Sequence, residues 1–434
     1  MQGNAGKVAG LAVAVGIGGA VLLGLGCGIA SADGASDTSS ARQTSAAPAH
    51  SARADRSARA ERAVRTEARP RARVERVRVG APTTVAQRRA ARRGDEPAAP
   101  ELAAPLMPLA LVSRRDRGHD ITEGPQTVVT GPPSLRDRLI LRTLQKLRHE
   151  DSDIFDGDGG NVTYTSPPAW VTRRVTVSES VYQGTKVVTL APKKPTGEYV
   201  LALHGGGLVA EANIINWADY AAMARDTGAT VVVPIYPLAP PKGNATVETL
   251  VPPMADYLSA MVAEHGAENV ALYGDSAGGT YAMLVAQELV RRCRAVSECV
   301  AEQTNPSRMV LISPVLHLTL SGPIVDDIDD PIIPARPPLT GTGDLNPDDP
   351  HINPIMVADL TGLPPTAIYV GTVERPYPGD LLFRDKLLAQ DPGANFTVIV
   401  GDGQMHDWAL GGIFVNSQAR QWRPTIYRQL GLLS

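Results

Sequence analysis

Six consecutive residues, Gly274-Asp275-Ser276-Ala277-Gly278-Gly279, set a serine between two glycines at the spacing G-x-S-x-G. They follow an apolar run at 269–273 and open an Ala-rich helical stretch. A strand that turns directly into a helix leaves no room for side chains at Gly274 and Gly278. It also lifts the serine hydroxyl clear of the sheet, at the positive end of the helix. A serine so placed can attack a carbonyl carbon once a base takes its proton. Upstream, His204-Gly205-Gly206-Gly207 follows another apolar run. Glycines let backbone N–H groups face a ligand with no Cβ in the way. The amides of Gly206 and Ala277, with Gly205 or Gly207 as a third, then make a cradle for the oxyanion of a tetrahedral intermediate. His204 itself reads as a brace for this loop. The base must come late in the chain, since this arrangement runs serine, acid, histidine. His406, in Gly403-Gln404-Met405-His406-Asp407-Trp408, is the only histidine beyond residue 351. The acid that orients it belongs just past the run at 367–370. Glu374 is the first choice there and Asp380 the reserve; the residue types alone leave both open.

Positioning such groups takes a sheet whose strands all deliver loops to one edge. Short apolar runs at 199–203, 230–235, 270–273, 309–312, 367–370 and 396–400 alternate with longer helical stretches. Continuous Val, Ile and Leu bounded by Gly or Pro describe strands buried on both faces. Their alternation with helices calls for right-handed crossovers and a mostly parallel sheet covered on both sides. Residues 131–434 are therefore expected to form one α/β catalytic domain, with 131–197 supplying a cap and leading strands. Leu135, Leu139, Leu144 and Leu147 fall near one face of a helix for which Ser134 is the N-cap.

With the motifs in place, a resemblance follows. His204-Gly205-Gly206-Gly207 with Gly274-Asp275-Ser276-Ala277-Gly278-Gly279 is similar to the hormone-sensitive-lipase-like family of esterases. So are Tyr236-Pro237-Leu238-Ala239-Pro240, Asp349-Pro350-His351-Ile352-Asn353-Pro354, Leu363-Pro364-Pro365-Thr366 and Met405-His406-Asp407-Trp408. The likeness spans roughly residues 198–430. It implies the α/β-hydrolase fold, carboxylesterase activity and an N-terminal helical cap, which 132–170 would supply. The family usually has Asp where Glu374 stands, and commonly Asp where His317 stands.

The first 130 residues have another texture. Lys7 precedes 23 uncharged residues at 8–30, and Ala30-Ser31-Ala32 gives the small-x-small pattern of signal peptidase. Residues 1–32 read as a signal peptide; a membrane anchor is the rival, because such a run can span a core of about 30 Å. Residues 33–130 are rich in Ala, Arg and Pro and hold no Trp or Tyr. They are expected to form a disordered linker, lacking the apolar area to offset ordering entropy. Residues 51–94 carry fourteen Arg against four acidic residues. Contact with an anionic envelope surface is one reading and a solvated tether the other. No aromatic residues interleave the arginines, so base stacking, and with it nucleic-acid binding, has no support. In an exported chain, Cys293 and Cys299 are a candidate disulfide. Asp326-Asp327-Ile328-Asp329-Asp330 lacks the spacing of a calcium loop and reads as a solvated acidic surface.

These features give an exported serine hydrolase acting on carboxylic esters of short to medium acyl chain, with a small-molecule ester or lipid as substrate. The chemistry requires no cofactor and no metal. Activity is expected to fall in acid as His406 gains a proton. The same machinery also serves amide or N-acyl hydrolysis, and a silent binding protein that kept the fold is the reading from another class. Oligomeric state is not legible here.

Overall fold

Val, Ile, Leu and Ala, too dense for a half-exposed strand, build the central strands of the computed structural model. It describes residues 124–150, 163–240, 242–300, 304–319, 322–333, 348–413 and 416–433, all in one compact unit. The expected signal peptide and the Arg-rich stretch lie outside the described residues. In chain order the elements are β1 (Gln126–Val129), α1 (Leu135–Glu150), β2 (Val175–Tyr182), β3 (Thr185–Pro192), β4 (Tyr199–Leu203), α2 (Ile214–Thr227) and β5 (Thr230–Ile235). There follow α3 (Val247–His265), β6 (Val270–Asp275), α4 (Ser276–Arg294), β7 (Arg308–Ile312), β8 (Thr366–Gly371), α5 (Pro376–Gln390), β9 (Phe396–Gly401) and α6 (Ser417–Gln429). The strands form one open sheet in the order β1-β9-β8-β7-β6-β4-β5-β3-β2. Pairing is parallel except where β3 meets β5 and β2.

Successive residues of a strand face opposite sides of the sheet, and here both sides are packed. Leu201 and Leu203 of β4 enter the layer of Leu258, Val285 and Phe383, from α3, α4 and α5. Val200 and Ala202 enter the other layer, with Trp217 and Tyr220 of α2 and Trp422 and Ile426 of α6. A strand covered on both faces has no use for polar alternation, which is why the runs are continuous.

Three expectations need correction. The linker was to extend to residue 130, but β1 pairs with β9 from Gln126↔Thr397 to Val129↔Val400. Four residues at a sheet edge are too few to show a period. In α1, Ser134 caps as expected, its Oγ accepting from the Asp137 amide at 3.1 Å. Its packed face is offset, however. Ile140, Leu141, Leu144 and Leu147 are half-buried, whereas Leu135 and Leu139 are 81% and 64% exposed. A buried Asp137, which takes hydrogen bonds from the Ser417 amide and hydroxyl, sets that face. Finally, the acidic stretch is not wholly solvated. Asp330 is buried and accepts from the amides of Ile332, Ile333 and Arg375. Asp329 lies 3.1 Å from His149 of α1.

Candidate active site

The chain leaves β6 at Asp275 and enters α4 at Ser276 with no intervening loop. Ser276 carries φ of +50°, a left-handed conformation unusual for a side chain larger than glycine. The turn is so tight that it needs glycine at 274, where a Cβ would lie 2.5 Å from the Gly278 carbonyl oxygen. Strain of this kind costs on the order of 1–3 kcal/mol and persists where packing over-determines it.

Parallel pairing of β4 with β6, in register at Leu203↔Gly274, brings the His204 loop out beside this turn. Gly206 has φ of +118°, and a Cβ there would lie 2.6 Å from the Ala210 carbonyl oxygen. The buried Asp275 carboxylate grips the loop from below. It accepts from the Gly205 amide (3.1 Å), Asn216 Nδ2 (2.8 Å) and Tyr220 Oη (3.2 Å). Burial nevertheless raises its pKa well above the ordinary carboxylate range, and the Asp407 and Asp219 charges add to that. The Gly205 amide is thus engaged with Asp275, which corrects its expected role as a cradle donor; Gly206, Gly207 and Ala277 remain. His204 braces the loop. Its Nδ1 lies 2.8 Å from the Gly205 carbonyl, which can only accept, so Nδ1 carries the proton. Tyr236 stacks on the imidazole at 4.2 Å and donates its hydroxyl to the His204 carbonyl at 2.5 Å. Burial pulls the His204 pKa down to about 4, so this ring stays neutral.

On the other side of β6, Gly371 of β8 pairs with Gly401 of β9, and the loops after them run together. The Val373 amide donates to the Gln404 carbonyl at 2.9 Å. From these loops His406 and Glu374 meet. His406 Nε2 lies 2.8 Å from Ser276 Oγ, and Nδ1 lies 2.6 Å from Glu374 Oε2. Glu374 is fully buried; its Oε1 accepts from Ser313 Oγ at 2.9 Å and from the Gly371 amide. Asp380, the reserve acid, is also buried but takes the Leu316 amide at 3.3 Å and makes no hydrogen bond to His406. Burial raises the Glu374 pKa, while the bond to His406 and the Gly371 amide work against that rise. For His406, burial opposes the charge, yet the Asp407 carboxylate and the Glu374 bond outweigh it and push the pKa up to about 10.

Residue types did not point to several supports of this site. Ser313, at φ +47°, donates to Glu374 and accepts from the Asp407 amide at 2.9 Å. Asp219 of α2 forms a buried ion pair with Arg423 of α6 and accepts from Tyr273 Oη at 2.8 Å and the Gly411 amide at 2.5 Å. It thereby fixes the segment that carries His406. No spacing rule finds such pairs, because their members lie far apart in the chain.

Residues 200–410 match the model of a family described by its α/β hydrolase fold. The chain is 36% identical over 257 residues to a triacylglycerol lipase of Mycobacterium tuberculosis, a match covering 59% of this chain and 52% of the relative. It is 26% identical over 211 residues to an esterase of Acinetobacter venetianus, covering 47% of this chain and 66% of that protein. The chain thus spans about half to two thirds of the length of these curated relatives. A solved hormone-sensitive lipase from a metagenome library superposes with a TM-score of 0.54 at 20% identity, over 70% of this chain and all of that one. The structural likeness agrees with the expected α/β-hydrolase fold. Among the described residues of the hydrolase domain, no three His, Cys, Asp or Glu side chains cluster as metal ligands would. Cys293 and Cys299 are joined by a disulfide that closes the turn after α4.

Proposed function

We propose that this chain hydrolyses carboxylic esters of short to medium acyl chain through an acyl-enzyme on Ser276. The observation that carries the reading is the unbroken relay from Ser276 Oγ through His406 to Glu374, at 2.8 and 2.6 Å. His406 Nε2 takes the serine proton as Oγ attacks the ester carbonyl. The negative oxygen of the tetrahedral intermediate is held by the amides of Gly206, Gly207 and Ala277, each contributing about 2.7–4 kcal/mol. The intermediate collapses as the C–O bond to the alcohol breaks and Nε2 gives the leaving oxygen its proton. Water, deprotonated by the same nitrogen, then releases the acid and restores Ser276. Glu374 holds the imidazole in its tautomer and balances its positive charge. Small-molecule esters and lipids are the substrates this machinery suits, and the names of the relatives support that class. We place the working protein outside the cytosol, a reading supported by the Cys293–Cys299 disulfide. A fluorophosphonate probe tests the nucleophile without choosing a substrate. Label is expected on Ser276 by peptide mapping and is expected to be lost in His406→Asn; label elsewhere, or none on folded protein, would overturn the assignment.

A further inference from the structure

The imidazole of His406 has a second carboxylate beside it. Asp407 Oδ2 lies 3.7 Å from Nε2, the nitrogen that faces Ser276 Oγ at 2.8 Å. The Asp407 side chain is 26% exposed and that of His406 only 2%. Asp407 Oδ1 is buried without a hydrogen-bond partner among the described residues. The backbone is held for this arrangement. Asp407 has φ of +59°, and its amide donates to Ser313 Oγ, whose hydroxyl donates to Glu374. One hydroxyl therefore fixes the acid on Nδ1 and the backbone that presents an acid near Nε2.

We propose that Asp407 is a positioning residue for the proton on Nε2: its carboxylate holds the imidazolium from the side opposite Glu374, strengthens His406 as a base and moves the working range of the site toward alkaline pH. The inference rests on the esterase reading above. Its physical basis is the sign of the charges. A carboxylate beside the lone pair of neutral Nε2 gains nothing, whereas beside Nε2–H⁺ it is attracted. At under 4 Å an opposite charge favours the protonated form by about one to three pH units. The other groups facing this pair do not cancel that charge. Glu374 lies on Nδ1, Asp330 adds negative potential at the ring, and Asp380, whose pKa burial raises well above the usual carboxylate value, brings no opposing charge. Asp275 and Asp219 face Asp407 from β6 and α2. The nearby guanidinium groups are committed elsewhere, Arg423 to Asp219 and Arg375 to the Ile333 carbonyl. Burial raises the pKa of Asp407 itself to about 7, still below the about 10 of His406, so the carboxylate is already charged where the imidazolium loses its proton.

Asp407→Asn removes the charge and keeps the rest, since Asn tolerates positive φ as Asp does and retains the amide bond to Ser313. The test is the kcat/KM profile of the full chain from pH 5 to 11 on p-nitrophenyl butyrate. The acid limb is expected to move down by at least one unit in Asp407→Asn, with lower plateau kcat, and to return part-way in Asp407→Glu. Asp407→Gly, which also accepts the backbone angle, should move as Asn does and serves if the Asn protein fails to fold. A folded, active Asn or Gly variant whose limb coincides with wild type overturns the proposal. If wild type hydrolyses nothing, the esterase reading falls. The His406 midpoint, followed by NMR titration in wild type and Asp407→Asn, then decides the proposal by the same downward shift or its absence.

Discussion

Glu374 and Asp380 are both buried carboxyls past the same strand, yet only Glu374 reaches His406. Glu374→Gln keeps the volume and removes the charge that the imidazolium needs. It is expected to lower kcat roughly 10⁴-fold with little change in KM, as loss of a triad acid does elsewhere. Asp380→Asn should act on stability instead. Burial raises the Asp380 pKa well above the usual carboxylate value. The folded state therefore holds this proton to higher pH than the unfolded state, and stability is lost as pH rises through the unfolded value near 4 toward the folded one. The Asn variant escapes that loss, so its Tm advantage over wild type should be absent at pH 4 and grow toward pH 8. An advantage that does not change with pH would contradict the assignment. At this scale Ser276 and His406 were legible, because a tight turn and a single late histidine leave marks in the chain. The choice between Glu374 and Asp380 depended on side-chain direction, and Ser313 and Asp407 on loops that meet only in space.

Among elements, the strands were the most legible part, since two packed helical layers demand continuous apolar runs. β1 and the true face of α1 were not. The first is four residues long, and the second is set by Asp137 docking on Ser417, which leucine spacing does not report. The joint between α2, β6 and α6 was equally hidden. Asp219 there satisfies Arg423, Tyr273 and the Gly411 amide at once. Asp219→Ala leaves a buried guanidinium without its counter-charge and is expected to cost about 3–5 kcal/mol. Urea denaturation measures this directly. A loss below about 1 kcal/mol would mean that the pair does not hold α6 against α2.

At the scale of the whole molecule, the proposed nucleophile and the covalent cross-link sit at opposite ends of one helix. Ser276 opens α4 and Cys293 lies in its last turn. At 1.5 Å per residue they are separated by about 25 Å. Closing so short a loop constrains the unfolded chain by about 2 kcal/mol. Reduction should therefore lower Tm by a few degrees and leave kcat within a factor of about two below the transition. A large fall in kcat on reduction of still-folded protein would show that the far end of α4 acts on Ser276.

The central claim is that Ser276 forms the acyl-enzyme. Hydrolysis of p-nitrophenyl esters from acetate to palmitate, by the full chain beside Ser276→Ala, tests it most directly. Wild type is expected to turn over short to medium acyl chains best, and Ser276→Ala to lose roughly 10⁴-fold or more in kcat. Folded wild type that cleaves none of the series, or a Ser276→Ala protein that cleaves it as well as wild type, would contradict the account.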